Sequence, residues 1–189
     1  MNGAAGRGGD DATSVVLVGF MGAGKSTVGR ALAARCGLPF VDCDEVIERE
    51  WGAIEAIFAR EGEPAFRELE QEVVVRVLDE ALSSPAVVAL GGGAVASDAV
   101  RERLAAFAHV VWLDVPLEES WRRAGAGESA ARPLARDREA FARLFGQRRP
   151  LYEEVASVRV AAGEDGAGTV VEEVLRLTGV RPAAGEVAP

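Results

Sequence analysis

An α/β fold, a parallel sheet with helices on both faces, is what this sequence predicts, and three observations predict it. Short apolar runs alternate with segments of helical period along the whole chain. Apart from Arg159 in the last, those runs are apolar throughout, as strands buried on both faces must be. The first run also leads straight into a glycine-rich string that opens a helix, Gly19-Phe-Met-Gly-Ala-Gly24-Lys25-Ser26-Thr27.

Val15–Val18 is the first predicted strand. The GxxxxGKS string after it is the Walker A pattern in its proper strand–loop–helix context. Its glycines let the backbone turn so that successive N–H groups converge on a phosphate, and the helix predicted over Lys25–Arg35 adds its positive end. Lys25 then reaches the terminal phosphates and Ser26 ligates Mg²⁺. Lys25 is also the chain's single lysine, the other twenty basic residues being arginine. A compact ammonium is kept where a forked guanidinium would not fit. A nucleoside triphosphate is the expected ligand.

The second strand, Phe40–Val41, runs into Asp42-Cys43-Asp44, and a helix is predicted over Asp44–Arg60. In the segment Gly62–Leu82, Phe66, Leu69, Val73, Val77 and Ala81 recur at spacings of three and four, an amphipathic helix whose first turn accommodates Pro64. The third strand, Val87–Leu90, ends in Gly91-Gly92-Gly93. A helix over Asp98–Phe107, a strand at Val110–Leu113 and a helix over Leu117–Arg123 follow. Ala124–Ala131 combines glycine with small residues and no apolar anchor, which reads as a mobile loop. Helices over Asp137–Val155 and Thr169–Leu177 flank a last strand at Val158–Val160.

The chain of 189 residues suits one domain, expected over residues 14–180, with disordered tails at 1–13 and 181–189. No stretch approaches the roughly 20 apolar residues of a membrane helix, and no signal peptide is evident, so a cytoplasmic protein without a membrane partner is expected. A formal net charge of −9 opposes a phosphate backbone and argues against nucleic acid as partner. Cys36 and Cys43 have no metal or redox spacing and read as small buried thiols. The only histidine, His109, sits at a strand end, which removes histidine from the candidate bases.

Asp42 and Asp44, one residue apart at a strand's carboxyl end, point toward the edge where ligands bind in open α/β sheets. One can hold a metal-bound water and the other can accept a hydroxyl hydrogen bond; alternatively Asp44 only caps the next helix. The triple glycine allows close approach of a ligand to the backbone, or makes a plain tight turn. Arg67 either binds a ligand or pairs with Glu63 or Glu70 on a solvated face. Asp114, ending an apolar strand, competes with Asp42 for the metal water in a literal Walker B reading.

Five motifs in order, GxxGxGKST, D-x-D, GE-x-x-FR at Gly62–Arg67, the triple glycine, and the pair Arg132-Pro-Leu and Arg148-x-Pro-Leu-Tyr152, closely resemble the shikimate kinases over Val15 to Val160. That resemblance implies a P-loop kinase fold, three-layered α/β/α, with five parallel strands in the order 2-3-1-4-5 and a mobile lid over about residues 124–136. It implies transfer of the γ-phosphoryl of MgATP to the 3-hydroxyl of shikimate. Asp44, Arg67, Gly92 and Arg148 would contact shikimate, with Gly91 and Gly93 shaping the pocket. Gly22, Ala23, Gly24, Lys25, Ser26, Thr27 and Arg132 would contact ATP. Ser26 would bind Mg²⁺ directly and Asp42 through water, in preference to Asp114. Lys25, Asp44 and Arg132 would be catalytic, and a monomer is expected. A related kinase of another hydroxy acid such as gluconate is the alternative. A GTPase switch is disfavoured, since no DxxG follows the phosphate loop closely and no NKxD exists.

Overall fold

The computed structural model describes residues 13–126, 137–163 and 166–183. Five parallel strands, β1 (Val15–Val18), β2 (Phe40–Asp42), β3 (Val87–Ala89), β4 (His109–Asp114) and β5 (Val158–Ala161), form one sheet in the order β2-β3-β1-β4-β5. Val15 of β1 is in register with Val87 of β3 on one side and His109 of β4 on the other. The expected order is the observed one. All four residues of β1 are buried, and their alternation divides the interior. Val16 and Val18 join one core layer, while Val15 and Leu17 join the other. An unbroken apolar run is therefore two half-patterns, each serving one face of the sheet.

The smaller layer is made by α1 (Lys25–Cys36) and α7 (Ala167–Thr178). Gly37 ends α1 in a left-handed turn, its N–H bonding back to Ala33 and Ala34. The larger layer holds α2 (Cys43–Trp51), α3 (Ile54–Ser83), α4 (Asp98–Leu104), α5 (Leu117–Ala126) and α6 (Arg138–Val155). In α3, Phe66, Val73, Val77 and Ala81 are buried as the spacing predicts.

The helix expected over Asp44–Arg60 is in fact two. Gly52 ends α2 at φ 90°, ψ −179°, and α3 begins two residues later. Glycine carries no side chain that would hold a helical turn together there, and it reaches a φ that other residues avoid. A second break falls at Gly62, with φ 82° and ψ 172°, and Pro64 follows in the next turn. Helix α5 runs past the expected Arg123, so Ala124 is a buried helical residue and not part of a loop. The remainder of the expected lid, with Arg132, lies outside the described residues, as do residues 1–12 and 184–189 of the expected tails. Residues 181–183 return to α1, where Ala183 N–H donates to the Arg35 carbonyl at 2.9 Å.

Candidate active site

Two cavities open at the carboxyl ends of β1, β2 and β3, and Met21, Asp44 and Gly92 belong to both. The first, about 200 Å³, lies over the loop joining β1 to α1 and is lined by Lys25, Ser26, Thr27 and Asp42 among others. In this loop Gly22 and Gly24 have φ of 75° and 83°. A side chain at Gly22 would meet the Ser120 carbonyl at 2.8 Å, so the glycine serves both the turn and the close packing of α5. Gly24 precedes α1 without a side-chain cap, which leaves the first N–H groups of the helix for an anion. The Lys25 ammonium donates to the Gly19 and Phe20 carbonyls at 2.8 and 3.1 Å. Helix α5 straps the same loop from outside: Ser120 Oγ donates to the Met21 carbonyl at 2.7 Å, and Arg123 donates to Gly22, Ala162 and Gly163 carbonyls. Ala23, placed in the sequence among the ATP contacts, is buried beneath the loop, 1% exposed.

Asp42 ends β2 and caps α2, one carboxylate oxygen accepting the Asp44 N–H at 3.0 Å. Its other oxygen accepts Ser26 Oγ–H at 2.5 Å. The cap role that the sequence offered to Asp44 thus belongs to Asp42. Asp44 sits in the first turn of α2 and lines both cavities. The two acids converge because the chain turns into a helix between them, not because they share a strand face. Cys43, between them, is fully buried, and burial first, then the adjacent carboxylates, push its thiol well above the ordinary value. It is inert as a nucleophile.

The second cavity, about 510 Å³, lies between α3, the turn after β3 and α6. Arg67 lines it from the second half of α3, 30% exposed, paired with Glu63 at 3.0 Å and Glu70 at 2.6 Å. Both expected pairings exist, yet they hold the guanidinium at the cavity wall, against the rings of Phe58 and Phe66. Burial works against the Arg67 charge, but Glu70 and Glu63 outweigh it and raise its pKa. Glu70 is 4% exposed; burial raises its carboxyl against the pull of Arg67. Arg148 reaches the cavity from α6, 8% exposed and over the Phe20 ring. No carboxylate among the described residues lies within ion-pair distance of it, and burial lowers its pKa, though a guanidinium remains a cation.

The three glycines meet the chain's own groups. A side chain at Gly91 would lie 2.6 Å from carboxylate oxygens of Asp44 and Glu70, and one at Gly93 would lie 2.2 Å from the Arg67 guanidinium. At Gly92 the neighbours are Gly19 and Met21 of the phosphate loop, 3.4 Å away. The turn is thus a surface on which the functional side chains rest.

Asp114 lines neither of these cavities. It accepts both Arg149 nitrogens at 2.9 and 3.0 Å and also Arg159, and the two guanidiniums lie over the Trp112 ring. Phe58 left no signal in the sequence, Glu70 appeared there only as a partner of Arg67, and Tyr152 only as the end of a motif. Glu70 left a signal there, an acid at position 70 in the apolar series 66, 73, 77 of an amphipathic helix.

Residues 21–178 match the profile of the family described as shikimate kinase. The chain belongs to the shikimate kinase family. Shikimate kinase of Corynebacterium glutamicum is 48% identical over 165 residues, covering 85% of this chain and 94% of that one. The structure of shikimate kinase from Acinetobacter baumannii in complex with shikimate superposes with a TM-score of 0.78 at 38% identity, over 89% of this chain and 93% of that one. A gluconokinase from Sinorhizobium meliloti, at 22% identity and a TM-score of 0.62 over 89% and 92%, shares the fold alone. Membership in the shikimate kinase family makes the protein an ATP-dependent kinase.

Proposed function

We propose that this protein transfers the γ-phosphoryl group of MgATP to the 3-hydroxyl of shikimate, with the site residues acting as follows. One observation carries the reading: Asp44 lines both the cavity of the Lys25 loop and the cavity of Arg67 and Arg148. Two guanidiniums suit one carboxylate, and the shared aspartate suits a hydroxyl that must meet a phosphate. The aromatic floor of Phe58 and Phe66, 4.5 Å between centroids, suits a ring better than an open-chain acid. The shikimate-bound relative supports the same substrate over gluconate.

Phosphoryl transfer has a loose transition state, so positioning and charge stabilisation do most of the work. Arg67 and Arg148 hold the acid, and Asp44 orients the hydroxyl and accepts its proton. The hydroxyl oxygen bonds to the γ-phosphorus as the bond to the β–γ bridging oxygen breaks, and ADP leaves. Lys25 takes up charge on the transferring group, and Arg132, by the family pattern, joins it. Ser26 Oγ and the Asp42 carboxylate are hard oxygen donors 2.5 Å apart beside Lys25, a donor set that suits Mg²⁺. Bound there, Ser26 directly and Asp42 through water, the ion would neutralise phosphate charge. Asp42 is favoured over Asp114 because the two arginines already occupy the Asp114 oxygens.

Action as a monomer in the cytoplasm, where ATP is supplied, is part of the same proposal. ADP formation measured with shikimate, gluconate and other sugar acids tests the substrate: shikimate should exceed every other acid by at least about 10³ in kcat/KM. Equal turnover of gluconate would overturn it. Light scattering of the active enzyme tests the monomer.

A further inference from the structure

Tyr152 lies one helical turn beyond Arg148 on α6, is 2% exposed, and borders neither of the two cavities. Its hydroxyl has one hydrogen to give. It gives it to the Gly92 carbonyl, at 2.6 Å across 60 residues of sequence. Gly92 belongs to both cavities and packs on the phosphate loop. The Arg148 guanidinium lies beside the same hydroxyl oxygen, and the Trp112 ring stacks behind the phenol at 6.1 Å. One buried hydroxyl therefore ties α6, beside its arginine, to the glycine turn after β3, two pieces of the acceptor cavity.

We propose that Tyr152 is a positioning residue: through its hydroxyl it fixes the separation of Arg148 and Gly92 and so presets the acceptor cavity for an anionic substrate. This rests on the reading of Arg148 as a ligand of the acid. A planar carboxylate accepts two parallel N–H bonds only from a guanidinium held in direction as well as place. Long arginine side chains lose that direction easily, because fixing their rotamers is costly. A buried oxygen between the arginine and a rigid turn supplies it.

The test is Tyr152→Phe, which keeps the ring and its packing and removes the hydroxyl alone. The KM for shikimate should rise about tenfold, with the KM for ATP within about twofold. A purely structural role would lower Tm and leave the shikimate KM unchanged. Val174→Ala, which opens a hole in the core layer on the far side of the sheet, is the control. It should lower Tm at least as far and leave both KM values alone. In an Arg148→Ala background, the effect of Tyr152→Phe should be less than half as large on a logarithmic scale. A full effect in that background overturns the proposal, as does an unchanged shikimate KM in the single variant. If Arg148→Ala itself leaves the shikimate KM unchanged, the acid-binding reading fails and the positioning role with it.

Discussion

In the proposed reaction the phosphate side is built mainly from nine consecutive residues, Gly19 to Thr27, and would work through backbone N–H groups and one ammonium. The acid side would take its residues from α2, α3, the turn after β3 and α6, and would work through long charged side chains. The first needs a particular chain path, which glycines supply and α5 secures through Ser120 and Arg123. The second needs bracing. Arg67 is held by two glutamates and rests on Gly93, and Arg148 lies against Phe20 and Tyr152. A backbone site is preset by local geometry, whereas a side-chain site must recover rotamer entropy from its neighbours.

The sharpest way to break this comparison is Lys25→Arg, a change that preserves charge. A guanidinium does not fit a cradle whose ammonium bonds two carbonyls at 2.8 and 3.1 Å, so kcat should fall by about 10³ or more. Activity within tenfold of the parent would mean that the phosphate side is as adaptable as the acid side. Next in size is Arg67→Ala, which should weaken shikimate binding about 30-fold and leave ATP binding unchanged. Calorimetric titration of each ligand separates the two sides, and equal losses would merge them.

Gly93→Ala sharpens the contrast without replacing a charged residue. The new methyl would lie 2.2 Å from the end of Arg67, a flexible side chain that can yield, so the fold should survive with the guanidinium displaced. The expectation is a shikimate KM about tenfold higher with a nearly unchanged Tm. A large Tm loss with normal KM would assign the glycine to folding alone.

The smallest effect concerns Glu70. Burial raises its carboxyl above 4.5 in the folded protein. The native state thus binds this proton more tightly than the unfolded chain, so the stability linked to it is complete below 4.5 and is lost as pH rises through the folded value. Asp44, which repels it, and Arg148, which attracts it, share the same surroundings. Glutamine does not titrate. The Tm advantage of the parent over Glu70→Gln should therefore narrow as pH rises from 4.5 toward neutrality. An advantage that widens would mean that Arg67 dominates burial.

What could be read from the chain alone was what a few adjacent residues impose. The central strands showed as runs apolar on both faces, the phosphate loop as glycines with a lysine, and the buried face of α3 as a spacing of three and four. The family motifs added the strand order and a list of residues. Tertiary structure decided which group each residue meets. Gly52 inside an apparently continuous helix did not announce a break, because one glycine disfavours a helix by only about 1 kcal/mol, which packing elsewhere can override. The sequence offered the cap of α2 to Asp44, and only the path of the chain gave it to Asp42 and left Asp44 lining both cavities. The triple glycine promised close approach without naming what approaches, and the answer came from Asp44, Glu70 and Arg67. Asp114 stood beside Asp42 as the lesser candidate for the metal water, and nothing near it in the chain foretold that Arg149, 35 residues later, and Arg159, 45 residues later, lie on its carboxylate. Periodicity and backbone permissiveness are local properties and survive in the order of residues. Pairings between distant residues depend on how elements stack, and these exist only once the sheet has brought their ends together.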